Sequence, residues 1–597
     1  MSEQGDRGPV QSNGVRPTVS RRTLLLRTGG LIGAAWLLEA CGPAAAPAPT
    51  IAPAAAPTTG PAPAAAAPTS APAAAATAKP AAPAAPAPTT APPVIAVPAT
   101  VPAGAATATP KSGGTVVWGV SSDPVTLAPI GMNNTSAAEP GNLAYESLVR
   151  WDQNLQVLPA LAETWETPDN KTYLFHLRQG VKFHSGKEMD SGDVVYSLNA
   201  QKNPPPPGNT NAFYPKIESI DAVDKYTVRL NMAQPDGTVL GYLAWNIYSH
   251  IIPNGLYENS DPRSTADGTG PYKITEFVPN DHVTLVRHPN YWRTGFPYLD
   301  GITMKVMTDQ QARIAALRSG AVDGVSVSAD VIPTLSSDPN LKVLKTLTAG
   351  FREMQMTIKG DGKPWNNVKV RQAVSAAMDR QEILDKVYAS DGKFTSKIPA
   401  SYGDWPIPDA DLHSKWEKFD LASAQQLMSD AGFASGFAVT LQAISNPDDY
   451  TQIAEIIKSQ MAKINIDVTV QPQEIGTFAT NNAAGTFEWA QTGRGMRGDP
   501  SGYFSDFDPA GSIYKAWFQG GYNNAELTQL ISDALGNPDQ AARHTQYRRM
   551  QEIVLTEWPT IPVVDPTLYQ VVRSRVQNMY VSIDGTEKGL AEAWISS

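Results

Sequence analysis

The sequence predicts a mixed α/β body of two or more lobes, carried behind an export signal and a long unfolded tract. Three observations predict it. The stretch 111–597 is several times the usual single-domain size, so one core does not suffice. Along it, apolar residues switch between a helical period and a period of two, the mark of an α/β layer. Ahead of it, residues 42–110 are dominated by Ala, Pro and Thr and offer nothing to pack.

The chain opens on an address. Ser20-Arg21-Arg22-Thr23-Leu24-Leu25-Leu26 reads as a twin-arginine export signal, with Arg21 and Arg22 as its pair. The apolar stretch 28–38 is too short for a stable span, which needs about 20 residues. Leu38-Glu39-Ala40-Cys41 follows, and Cys41 is the only cysteine. A lone cysteine after an apolar core resembles the acylation site of a bacterial lipoprotein, so 1–41 is expected to be a lipoprotein signal. Glu39 departs from the small or apolar residues typical two places before such a cysteine. Left uncleaved, the segment would still anchor the chain with the same topology. With Cys41 committed to lipid, no disulfide can form, and the fold rests on its core alone.

Residues 42–110 carry a single charge, Lys79. Frequent proline blocks helix and stiffens the chain. At about 3 Å per residue its extended limit is on the order of 200 Å. The tract is read as a disordered linker that gives the body reach across an envelope layer. The whole chain has 47 Lys+Arg against 57 Asp+Glu, a net charge of −10, and no basic stripe, which argues against nucleic acid.

In the body, the apolar run 115–120 after Gly113-Gly114 predicts a buried strand. Segments 173–177 and 226–230 alternate as half-buried strands do. Asp309 is placed to cap a helix that presents Ala312, Ala315, Ala316 and Leu317 on one face, with Gly320 as its left-handed stop. Asp420 starts another helix, with Leu421, Ala424, Leu427, Met428 and Ala431 on one side and Gly432 at its end. Ile453, Ile456, Ile457, Met461 and Ile464 form a helical stripe, after which Ile466, Val468 and Val470 change to period two.

A series of motifs runs through the body in order. Asp123-Pro124-Val125-Thr126-Leu127 comes first, then Tyr145-Glu146-Ser147-Leu148 and Phe175-His176-Leu177-Arg178. The sharpest is Gly180-Val181-Lys182-Phe183-His184-Ser185-Gly186, continuing to Asp193-Val194-Val195-Tyr196-Ser197. Gly268-Thr269-Gly270-Pro271-Tyr272, Asn290-Tyr291-Trp292, Val370-Arg371-Gln372-Ala373, Asp379-Arg380 and Gly498-Asp499-Pro500 complete it. The body resembles the family 5 solute-binding proteins of ABC importers, the group of dipeptide-, oligopeptide- and nickel-binding proteins. Most motif residues are read as fold-bearing: Phe183 as core, Gly270-Pro271 as a turn, Arg371 and Asp379 as local caps or pairs.

The resemblance implies a two-lobe periplasmic-binding-protein fold of type II, cluster C-like, with an extra subdomain in lobe I. Lobe I would hold 111–155, 266–355 and 561–597, the subdomain 156–265, and lobe II 356–560, with the hinge at 353–359 and 560–565. It implies a ligand gripped between the lobes and favouring the closed state. It also implies an ABC permease and ATPase as partners; a monomer is expected, and the scattered histidines predict no metal or cofactor. The expected solute is peptide-like, with an oligosaccharide as the alternative; the location is the outer face of the cytoplasmic membrane or the periplasm.

In the peptide-binding members, an aspartate three residues before the Asp-Pro motif pairs with the ligand's amino group. Here that position is Met496, within Arg494-Gly495-Met496-Arg497-Gly498-Asp499, which weakens the case for a short peptide held by its N-terminus and leaves longer peptides, acidic ligands or sugars. Arg494 and Arg497 are candidates for a ligand carboxylate, or else face Asp499 or solvent; Asp499 is a candidate for the amino group if the loop is shifted. Tyr402, Trp405 and Trp489 are the candidate cleft aromatics, with core packing as the alternative for any tryptophan. Trp489→Ala is expected to lower affinity with the fold intact.

A secreted hydrolase is the competing class. The chain has no Gly-x-Ser-x-Gly elbow, no His-Glu-x-x-His and no phosphate loop, and its seven histidines are scattered. Its one thiol is the proposed anchor.

Overall fold

Gly113-Gly114 delivers the chain into strand β1 (Thr115–Val120), whose Val116, Trp118 and Val120 are buried. The computed structural model describes residues 109–596 apart from 125, 131–134, 205–212, 246–247, 259, 262–263, 448 and 538. Arg21, Arg22, Cys41 and the linker as far as residue 108 lie outside the described residues. Among the described residues no helix is long and apolar enough to cross a membrane.

A subdomain comes next. β2 (Val149–Trp151) and β3 (Val157–Pro159) form a hairpin. β4 (Ala162–Glu166), β5 (Thr172–Leu177), β6 (Ile217–Asp224) and β7 (Thr227–Met232) make an antiparallel sheet in the order β4-β5-β7-β6. Phe175, Phe183, Val194 and Leu230 form its core, joined by Leu148 and Val149. Those two lie ahead of the 156 boundary expected from sequence, because the β2–β3 hairpin turns them inward.

The first lobe resumes with β8 (Tyr272–Val278), β9 (His282–Arg287), β10 (Gly301–Val306), β11 (Gly324–Val327) and β12 (Leu341–Leu347). β1 lies parallel between β10 and β11. The helix Gln310–Ser319 starts and stops on the expected residues: Asp309 accepts from the Ala312 N–H at 2.7 Å, and Gly320 has φ 81°.

The second lobe contains β13 (Phe351–Met356), β14 (Gly392–Lys393), β15 (Phe437–Ile444), β16 (Ile466–Gln473) and β17 (Trp489–Arg494). β15 lies parallel between β16 and β17. The helix Asp449–Met461 buries Ile453, Ile457 and Met461, and β16 follows it with Ile466 and Val468 inward. Asp420 caps Leu421–Asp430 and Asp379 caps Arg380–Val387. Arg371 is committed to the carbonyls of Trp365, Asn366 and Glu557.

The last long strand, β18 (Thr560–Arg573), belongs to both lobes. Its first part pairs with β13, from Gln355↔Thr560 to Arg352↔Val564. Its second part lies between β11 and β12, with Leu347↔Thr567 as the first β12 pair. The fold is therefore the expected α/β two-lobe architecture. The chain crosses between lobes at 348–350 and at 565–566. The first crossing precedes the 353–359 stretch expected from sequence, because β13 pairs only with β17 and the second-lobe half of β18. Ile561, Val563 and Val564 accordingly pack in the second lobe's core.

Candidate functional site

A loop and a helix face each other where the subdomain meets the second lobe. Arg494 ends β17 opposite Phe351, and the loop 495–499 leads into the short helix Pro500–Tyr503. Across the seam stands the subdomain helix Val239–Ala244. The backbones meet at glycines. A Cβ on Gly241 would lie 1.9 Å from the Gly498 carbonyl oxygen, and one on Gly498 would lie 2.9 Å from the Tyr242 Cα. The Gly237 N–H donates to the Leu535 carbonyl at 2.9 Å, so the two sides also share a backbone hydrogen bond.

Behind the loop lies a buried ion network. Lys397 Nζ donates to Glu353 Oε2 at 2.7 Å and to Thr560 Oγ1 at 3.0 Å. Arg494 reaches Glu353 through Nε and Asp506 through Nη2. Burial would raise the Glu353 carboxyl, but Arg494 and Lys397 beside it bring it down to about 2. Burial lowers the Lys397 ammonium, opposed by Glu353.

The sequence candidates take different places around this network. Tyr402 is buried; its hydroxyl donates to the Arg497 carbonyl at 2.6 Å and accepts from the Arg497 N–H at 3.1 Å. It lies 3.1 Å from the Tyr503 hydroxyl, which donates to the Ala349 carbonyl at the crossing. Tyr402 thus ties the loop to the interlobe connection, and burial pushes its phenol up to about 12. Arg494 is committed to Glu353 and Asp506, with its guanidinium 5.3 Å from the Trp517 ring centroid.

Asp499 is occupied as well. It accepts from Arg543 Nη2 at 2.9 Å on both oxygens and from the Ser501 N–H at 2.9 Å. It therefore pins the loop to the helix Gln540–Glu557. Arg497 differs: the partner of its guanidinium among the described residues is the Met496 carbonyl at 3.3 Å. Its charge acts on Tyr242 and Tyr248 of the subdomain and on Tyr402 and Tyr503 of the second lobe.

Trp405 stacks on His544 with centroids 3.6 Å apart and meets the edge of Tyr547 at 5.5 Å. With Asp404, Pro406 and Arg548 it lines a shallow hollow of about 300 Å³. Trp489 is not a cleft residue. It is 0% exposed and packs edge-on against Trp365 and Phe437 in the second lobe's core. The expected affinity loss is therefore replaced by another outcome: Trp489→Ala costs about 3–5 kcal/mol of stability. A lower denaturant midpoint, with unchanged solute affinity in the folded fraction, is the measurement.

Sequence reasoning missed Glu353 and Lys397 and the facing Tyr242 and Tyr248, while Asp506, which the nearby proline and glycine predict in a solvated loop with Asp508, is instead buried against Arg494. The strand Phe351–Met356 mixes Arg352, Glu353 and Gln355 with apolar residues, so nothing in its pattern singled out Glu353 as the buried charge. Among the described residues, no group of three or more His, Cys, Asp or Glu is placed to hold a metal ion.

Comparison with known proteins places this geometry in a family. The family model described as "Bacterial extracellular solute-binding proteins, family 5 Middle" matches residues 156–514. Heme-binding protein A of Haemophilus influenzae is 28% identical over 504 residues, covering 78% of this chain and 90% of that protein. The glutathione-binding protein GsiB of Salmonella paratyphi A is 26% identical over 484 residues, covering 79% and 92%. The solved structure of AgaA from A. tumefaciens R10 with agropinic acid is 25% identical at a TM-score of 0.70, covering 81% of this chain and 99% of that one. These relatives are named for what they bind, and the chain is accordingly a binding protein of ABC import rather than an enzyme, which removes the hydrolase reading. With a family model matched over more than half of its length, the chain belongs to the family 5 bacterial extracellular solute-binding proteins.

Proposed function

We propose that the protein is a lipid-anchored extracytoplasmic receptor that captures a peptide-like solute between its lobes and delivers it to an ABC permease. The observation that carries this reading is the pair of strand crossings at 348–350 and 565–566 beside the loop 494–499, the two connections between two separate cores. Arg497 and Tyr402 of the loop region and Tyr242 and Tyr248 of the subdomain are the proposed solute-facing residues. Cys41 is the proposed lipid attachment, and Arg21-Arg22 the export pair.

The names of the relatives support a small organic solute: glutathione, heme and agropinic acid all bear carboxylates. The test is thermal unfolding of the exported protein with pools of di-, tri- and oligopeptides, and separately of oligosaccharides. A solute at 100 times its Kd adds about 2.7 kcal/mol to native-state stability. Peptide pools are expected to raise Tm at millimolar concentration. A rise confined to the oligosaccharides would replace the peptide reading with the sugar one.

A further inference from the structure

We propose that the seam selects an anionic solute, that Arg497 takes its carboxylate, and that a free ammonium on the solute is not needed. This rests on the solute-binding reading above and names the class of solute.

The argument is a pairing of charges. On the second lobe's side of the seam, the three carboxylates that hold the loop or its arginines already have their cations, while Asp565 at the crossing has none and burial raises its carboxyl well above the usual range. Glu353 is held by Lys397 and Arg494, Asp506 by Arg494, and Asp499 by Arg543. Those three cations are thereby committed in turn. Arg497 is the exception: among the described residues no carboxylate lies within ion-pair distance of it. Among the described residues, an ammonium arriving at the loop meets carboxylates that are already paired, apart from Asp565, whose ionised form burial disfavours, and burying the ammonium unpaired is costly. A carboxylate meets a planar fork of donors able to bind both its oxygens.

The loop also positions that fork. The Arg497 backbone is clamped by Tyr402 through both its N–H and its carbonyl. Its stem lies over Gly502, where a Cβ would come within 2.8 Å of Arg497 Cδ, so only glycine leaves the stem this path. On the subdomain side the Tyr242 ring packs on Gly498, the residue after Arg497, where a Cβ would lie 3.0 Å from Tyr242 Cγ and Cδ1. On the first-lobe side, Glu146 is also taken, by Thr269, Tyr291 and Trp292 at 2.8–2.9 Å.

The experiment uses the exported full chain and three pools of two- to four-residue peptides: free acids, N-acetylated acids, and C-terminal amides with a free N-terminus. Free and acetylated acids are expected to raise Tm and bind calorimetrically alike, and amides to bind at least tenfold more weakly. Arg497→Gln should raise Kd roughly 10- to 100-fold for the acids, with unchanged ligand-free Tm. Arg497→Lys should recover part of the loss. Binding of amides with rejection of acetylated acids would overturn the inference and leave the solute-binding reading standing. Should no peptide pool bind, a pool of acidic sugars is added. Binding there that Arg497→Gln abolishes keeps the inference and overturns the peptide reading. Silence from every carboxylate pool overturns the inference.

Discussion

Gly241→Ala is expected to raise the solute Kd at least 100-fold while leaving the protein folded. The added methyl would lie 1.9 Å from the Gly498 carbonyl oxygen, a backbone atom with no rotamer to yield. The subdomain and the second lobe must then stand apart, and the Gly237–Leu535 hydrogen bond is lost with the contact. Apparent affinity scales with the fraction of molecules able to close, so a closed state populated at about 1% costs about 100-fold in Kd. Helix propensity argues the opposite sign for stability. Gly241 sits inside Val239–Ala244, where alanine is better than glycine by roughly 1 kcal/mol. Calorimetry should therefore show lost binding at an unchanged or raised Tm. Retained affinity would mean that this backbone contact is not part of the solute-bound state.

The fold was legible in this sequence because its signals are local. Asp309 with Gly320, Asp420 and Asp379 mark helix ends within a few residues of what they cap. The stripe Ile453, Ile457, Met461 and the alternation from Ile466 declare a helix and then a strand without reference to the rest of the chain. The site was less legible because its decisive contacts are distant in sequence. Arg494 and Arg497 look alike in a loop of glycines. What separates them is Glu353, 141 residues from Arg494 along the chain, which takes one and not the other.

Trp489 was misread for a related reason. The first four residues of β17 are all buried, so the period-two rule that separates inward from outward residues has nothing to act on there. The hinge shows the same limit: Phe351–Met356 reads as a strand in either lobe, and only its pairing with β17 decides the owner.

Glu353→Gln is expected to lower stability at pH 7 by about 3 kcal/mol, within the range seen when one member of a buried ion pair is removed. Among the described residues, Lys397 has no alternative carboxylate in contact. Its side chain is wholly buried, its other donor contact is Thr560, and its charge lies 5.5 Å and 5.4 Å from the Phe351 and Phe507 ring centroids. Lys397 also holds φ 81°, a left-handed conformation unfavourable for a side chain and kept in place by these contacts.

The pH dependence separates charge from shape. The folded carboxyl titrates near 2, below its unfolded value of about 4.3. Its contribution is therefore complete above pH ~4.3 and is lost as the pH falls toward 2. The gap between wild type and Glu353→Gln should be widest at neutral pH and close progressively between pH ~4.3 and 2. A double replacement, Glu353→Gln with Lys397→Met, should cost less than the two single changes added, since each single change strands the other's charge. Chemical denaturation of the four proteins at pH 7, 4 and 3 measures both effects. Because Arg494 ties Glu353 to the start of the 495–499 loop, the single variant should also weaken solute binding. A gap that stays constant across pH would show that Glu353 acts through packing and that its charge holds nothing in place.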